Sequence, residues 1–200
     1  MHDPRWQFGL GVGYATSPTG ADHMHNFHDS SLESEAGAAR MKSFGIFTEP
    51  LERTSLPAVK PVLAATVIRA QVMNNCVGIC MFMPYRLSHF RQIVNSITGW
   101  DVSDIELLRV GERALALARL YNAREGLTPA DDTHHPRFTE PLMQAGEEGA
   151  LIPEEQMREA VDLYYELQGW DQNTGAPTRA KLLELSLDWA VEVLDRIAAG

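Results

Sequence analysis

Cysteine is nearly absent from this chain, with two among 200 residues, Cys76 and Cys80. Two thiols one helical turn apart build no disulfide framework. Nor do they alone close a structural zinc site or a cubane iron–sulfur cluster, each of which takes four ligands. Long hydrophobic runs are missing as well. The most apolar stretch, Leu56 to Met73, is interrupted by Lys60, Pro61, Thr66, Arg69 and Gln71, and is too polar to span a bilayer, so no membrane span is expected. Positive charge is scarce in the second half: residues 101–200 hold nine Lys or Arg against twenty Asp or Glu, whereas residues 1–100 hold eight against seven. An acidic half repels phosphate backbones, and no basic stripe with interleaved aromatics offsets it, which argues against a nucleic-acid partner. No basic, apolar leader opens the chain, and a reducing cytoplasm is the expected compartment.

What is present is an ordinary globular composition, 44% apolar, in a length that suits one domain or two small ones. Five of the seven histidines and both cysteines fall in residues 1–100. Chemistry is therefore expected in the first half, with the acidic half framing it. Residues 1–30 carry Gly9, Gly11 and Gly13 at alternate positions between Pro4 and Pro18, a pattern of turns and close-packed backbone. A chain that opens on such a loop-rich, His-rich segment reads as a piece of a longer protein. Residues 1–30 are taken as part of a cofactor cavity and residues 31–200 as a helical domain.

Helical signals dominate the remainder. Ser30 to Pro57 is polar and punctuated, a surface connection. Val59, Val62, Leu63, Val67, Ala70 and Val72 predict a buried helix ending near Met73, and a second helix runs from Arg86 to Thr98 with Gly99 as its C-cap. Ser103-Asp104-Ile105-Glu106 has capping-box spacing and starts a helix to about Asn122. Gly126 to Gly149, with three prolines, reads as an ordered loop. Pro153 opens a helix to Gln168 that Gly169 ends, and Thr178 caps a last helix through about Leu194. No run alternates at period two. The fold class is mainly α, multi-helical, with a loop-rich, Gly-rich N-terminal segment.

Among chemistry-bearing residues, Cys76 and Cys80 flank Gly78 at a helix end or turn, where exposed backbone groups can hold a cofactor; as free thiols they equally suit two small core residues. His23, His25 and His28 with Asp22 and Asp29 have spacings that could surround a metal, and equally suit loop histidines that hydrogen-bond or face solvent. His134 and His135 are adjacent and point apart. Gly9 to Gly13 fails as a dinucleotide fingerprint, since no strand precedes it and the third glycine is misplaced, which leaves tight packing as its role. Arg124-Glu125 and Asp131-Asp132 read as a structural ion-pair and capping network around the proline-rich loop.

Five blocks in order carry a family resemblance: HDPR at His2 to Arg5, GYATSPTGADH at Gly13 to His23, NNCVGIC at Asn74 to Cys80, NAREGLTPADD at Asn122 to Asp132, and YYELQGWDQNTGAPT at Tyr164 to Thr178. Together they resemble the C-terminal part of the tungsten-containing aldehyde ferredoxin oxidoreductases, over nearly the whole chain. The resemblance implies an enzyme that oxidises aldehydes to carboxylic acids. Its cofactors would be tungsten or molybdenum on a bis-pterin (molybdopterin-type) ligand and a 4Fe-4S cluster, with ferredoxin as electron acceptor. It further implies that N-terminal and middle domains, or a partner subunit, complete the enzyme, and that the piece alone is inactive. The family's Asp-x-x-Gly-Leu-Cys motif maps onto Asn75, Gly78, Ile79 and Cys80. Cys80 is then the fourth cluster ligand, Cys76 a bystander, and Asn75 stands where a carboxylate normally faces the pterin. The histidine of the GADH block maps to His23, at the substrate cavity; His25 and His28 have no assigned counterpart. Two other readings stand beside this one: a related branch that reduces aromatic acyl-thioesters, and a stand-alone helical scaffold whose histidines and cysteines are structural.

Overall fold

In a computed structural model, which describes residues 2–144, 147–148 and 150–199, eight α-helices make up about half of the chain. They are α1 (Phe8–Thr16), α2 (Glu35–Met41), α3 (Val59–Val77), α4 (Leu87–Thr98), α5 (Asp104–Arg124), α6 (Glu154–Gln168), α7 (Arg179–Glu184) and α8 (Val191–Ala199). The described strands are one two-residue antiparallel pair, β1 (Met143–Gln144) with β2 (Glu147–Glu148). The mainly α expectation holds. Residues 145, 146 and 149 of the stretch read as an ordered loop lie outside the described residues.

Helix α3 is the axis of the domain, because its apolar residues occupy several faces and must be covered from several sides. Helices α5, α6 and α1 pack around it, and its Leu63, Ala64, Ala65 and Ile68 meet Phe8, Val12, Phe27, Leu115, Tyr164 and Trp170 in the main core. A second core joins Ala116 and Leu120 of α5 to Leu182, Leu185, Leu187, Ala190 and Val191, and a third, smaller one joins Met73, Phe90 and Leu107.

The α3–α5 crossing depends on one absent side chain. A Cβ at Gly111 would lie 2.0 Å from the carbonyl oxygen of Arg69 and 2.9 Å from the amide nitrogen of Met73. Backbone cannot yield as a flexible side chain does. Gly111→Ala is expected to lower stability by about 1–3 kcal/mol even though alanine is the better helix former; a urea midpoint equal to or above wild type would refute this.

Four expectations change. The stretch Ser30 to Pro57, read as a surface connection, contains helix α2 and buries Leu32 and Ala38, and α3 runs to Val77 rather than ending near Met73. The segment with Gly9, Gly11 and Gly13 is a nine-residue buried helix rather than turns. The packing role expected for these glycines is retained: a Cβ at Gly9 would meet Phe27 at 2.6 Å and one at Gly13 would meet Asn26 Oδ1 at 1.9 Å. Alternate glycines weaken helix propensity, but α1 is enclosed on all sides, and tertiary burial outweighs that cost. The expected last helix is broken in two. Ser186 takes a left-handed φ of 57°, with its N–H donating to Leu183 O and the Leu187 N–H to Leu182 O, which redirects the chain so that Leu182, Leu185, Leu187 and Ala190 all bury against α5. No glycine or proline marks this break.

Candidate functional site

The candidate residues lie towards different parts of α3. At its C-terminus, Gly78 adopts φ 76°, ψ 24°, the left-handed geometry that glycine enters without Cβ strain. Its N–H donates to Asn75 O and the Ile79 N–H to Asn74 O, both at 3.1 Å, the paired bonds of a Schellman turn. Ile79 supplies the apolar contact that accompanies such turns, packing into the small core of Met73, Phe90 and Leu107. Gly78 and Ile79 thus have a local mechanical role: one turns the chain, the other anchors it. Cys80 follows directly and is exposed, its carbonyl accepting from the Met83 N–H at 3.1 Å. Cys76, one turn back on the helix, is also exposed, and partial desolvation pushes its thiol pKa up. Both thiols being exposed sets aside the reading of two buried core cysteines. The Asn75 side chain is exposed and has no hydrogen-bond partner among the described residues.

The His23 loop is built against α1 and the first half of α3. Asp22 accepts from the Met24 N–H at 2.7 Å and lies 3.0 Å from His25 Nδ1, while Asn26 Nδ2 donates to Leu10 O. At the loop's end Asp29 is fully buried. It accepts from the N–H groups of Gly9 and Leu10 and pairs with buried Lys60 at 2.6 Å, and Lys60 also donates to the carbonyls of Glu52 and Arg53. Burial pushes the Asp29 carboxyl pKa up and the Lys60 ammonium pKa down, each partly opposed by the other's charge. On this support His23, His2 and His28 stand edge to face, with ring centroids 5.4 Å apart for His2–His23 and His2–His28 and 6.2 Å for His23–His28. His28 Nε2 lies 2.7 Å from His23 O; a carbonyl only accepts, so this nitrogen carries the proton. No three His, Cys, Asp or Glu among the described residues are grouped to hold a metal ion.

Asp22, His25 and Ile68 line one small crevice, so the loop stands level with the middle of α3. Nine residues separate Ile68 from the helix end, roughly 14 Å at 1.5 Å per residue. The loop that carries His23 and the turn that carries Cys80 therefore sit at different levels along α3.

A family model described as "Aldehyde ferredoxin oxidoreductase, domains 2 & 3" matches residues 1–187. This chain belongs to that family. Its relatives include the tungsten-containing aldehyde ferredoxin oxidoreductases of Thermococcus kodakarensis and Pyrococcus furiosus, each 30% identical over 190 residues, and that of Pyrococcus abyssi, 29% identical over 191. The matches cover 93–94% of this chain but only 29% of each relative.

In this member of the family, the two blocks from the acidic half form one buried polar knot. Arg119, 2% exposed, donates to Gly175 O at 2.7 Å, pairs with Asp132 at 2.6 Å, bonds the Tyr165 hydroxyl and stacks 4.7 Å over the Trp170 ring. Tyr165 in turn donates to Asp132, and burial, with Asp132 beside it, drives its phenol pKa far up, so it stays a donor. Asp131 caps Thr128, and Arg124 pairs with Glu125 at the surface. The structural reading of these acidic pairs holds, although Arg119, its centre, carried no sequence signal beyond a helix position. His134 and His135 do diverge: His134 Nε2 donates to Gly11 O and burial lowers its pKa, whereas His135 is exposed and caps Arg137. The knot floors a groove of about 690 Å³ between α6 and the 129–139 loop, bordered by Phe138, Met157 and Arg158, which sequence patterning did not reveal.

Proposed function

We propose that this chain is the C-terminal part of a tungsten or molybdenum bis-pterin oxidoreductase that oxidises aldehydes to carboxylic acids, with electrons leaving through a 4Fe-4S cluster to ferredoxin. The observation that carries this reading is the presentation of Cys80. A glycine turn clamped by Ile79 sets an exposed thiol just past a rigid helix end, in a chain of this family.

The donor set fits one quarter of a cubane's thiolate ligands, so the other three come from the N-terminal and middle domains or from a partner subunit. Apolar side chains beside the thiol support such a contact: Phe82 is 77% exposed, and Met83 and Tyr85 are exposed with it. Asn75, whose side chain has no hydrogen-bond partner among the described residues, offers a pterin edge one carbonyl acceptor and two N–H donors where the family motif offers a carboxylate. When bound, the metal–pterin centre supplies the two-electron chemistry. His23 then lines the substrate cavity and receives or passes a proton at an imidazole nitrogen, since neither of its ring nitrogens has a partner among the described residues. The cavity is completed only when the domains close together, because the His23 loop and the Cys80 turn sit at different levels along α3.

The test is made in the complete enzyme. Cys80→Ala is expected to lower bound iron from about four atoms per chain towards zero and to abolish the reduced-cluster electron paramagnetic resonance signal, while Cys76→Ala keeps both. Full iron and an unchanged signal in Cys80→Ala would remove Cys80 from the cluster.

A further inference from the structure

We infer that His28 is a positioning residue for His23, an inference that rests on the proposed role of His23 at the substrate cavity. Two observations point to it. The His28 Nε2–H donates to the backbone carbonyl of His23 at 2.7 Å, across a five-residue loop, and so holds the peptide that carries the His23 side chain. The His28 ring also stands edge to face against both His23 and His2, at 6.2 and 5.4 Å, and so packs beside the His23 ring.

The loop gives His23 little else to hold it. Asp22 caps Met24, Asn26 ties to α1 and Asp29 to Lys60, but the described hydrogen bond to His23 itself is the one from His28. His28 is half-buried, and the chain on either side of it is anchored by Phe27, buried in the main core, and by Asp29, so its ring is mounted on fixed backbone. A side chain so mounted can impose its geometry on a loop neighbour. Proton transfer depends on heavy-atom placement within a few tenths of an ångström, and displacement by about 1 Å lowers turnover by roughly a hundredfold. The requirement is for an N–H donor of suitable length, not for imidazole chemistry. Glutamine can meet that requirement; leucine, of similar bulk, cannot.

The first measurement is made on the 200-residue chain itself, by long-range proton–nitrogen correlation of the histidine rings, with far-UV circular dichroism as a check on folding. His28→Leu is expected to shift or broaden the His23 ring signals while the helix content stays, and His28→Gln to restore them. Unchanged His23 signals in His28→Leu, or equal disturbance in both variants, would overturn the positioning role. If His28→Leu fails to fold, His28→Gln decides alone: wild-type His23 signals support the role and displaced ones overturn it. In the complete enzyme, His28→Leu is expected to lower kcat by roughly ten- to a hundredfold with little change in KM, and His28→Gln to recover most of it. His23→Ala separates the two levels of inference. If it leaves turnover intact, the proposed role of His23 fails; if it abolishes turnover while His28→Leu has no effect, the role of His28 fails alone.

Discussion

Lys60→Met is expected to destabilise the chain by about 3–5 kcal/mol, because it leaves the Asp29 carboxylate charged and without its counter-ion in a site with no solvent exposure. Asp29 is the point on which three elements meet. Its two oxygens accept from the first turn of α1, its charge is matched by Lys60 from α3, and it ends the His23 loop. Asp29→Ala should cost at least as much, since it strands a buried ammonium and also removes the acceptor of the Gly9 and Leu10 N–H groups. Burial disfavours both charges, so the pair itself contributes little net stability, and Asp29→Asn combined with Lys60→Met should recover much of either single loss. The pH dependence of Lys60→Met follows from the upward shift of Asp29, which the loss of Lys60 increases. A carboxyl whose folded pKa lies above its unfolded value contributes most below the unfolded value and loses that contribution as pH rises through the folded one. The deficit of Lys60→Met should thus be smallest in acid and widen towards neutrality, as urea unfolding at a series of pH values would show. A deficit that narrows as pH rises, or a double variant no better than either single one, would contradict the account.

Arg119→Met should be comparably severe, about 3–5 kcal/mol, for the same reason of an uncompensated buried charge, here Asp132. It also releases Gly175 O and uncovers the faces of Tyr165 and Trp170. Arg119→Lys should rescue little, because an ammonium cannot serve the Gly175 carbonyl, the Asp132 carboxylate and the Tyr165 hydroxyl in the planar fork a guanidinium provides. Gly175 approaches so closely that a Cβ there would lie 2.5 Å from an Arg119 nitrogen, at a φ of +71°. A double-mutant cycle between Arg119→Met and Tyr165→Phe measured by urea unfolding is expected to show strong coupling, since both hold Asp132. Additive losses would mean that the three side chains do not act as a unit.

Much of the helical framework was legible in one dimension. Gly99 and Gly169 end α4 and α6 in left-handed geometry, as their positions predicted, and Ser103 caps α5 through its hydroxyl. Helix α3 continues past Met73, where its apolar repeat ends, to Val77, because the glycine that ends it is Gly78. In the glycine-rich opening local propensity favours turns, and only the enclosing core outweighs it. His28 had no more weight in sequence than His25, yet one meets the carbonyl of His23 and the other turns to Asp22.

The amino-acid sequence by itself determined the helical class, the ends of α4, α5 and α6 and, through five ordered blocks, the family, since these rest on short-range periodicity, capping chemistry and residue identity. Tertiary structure alone decided that Asp29 and Lys60 form a buried pair, that Arg119 joins two blocks lying far apart along the chain, and that the His23 loop and the Cys80 turn sit at different levels along α3. Those relations depend on how helices pack in three dimensions, where a single glycine such as Gly111 or an unmarked break such as Ser186 sets which residues meet, and no local pattern along the chain records it.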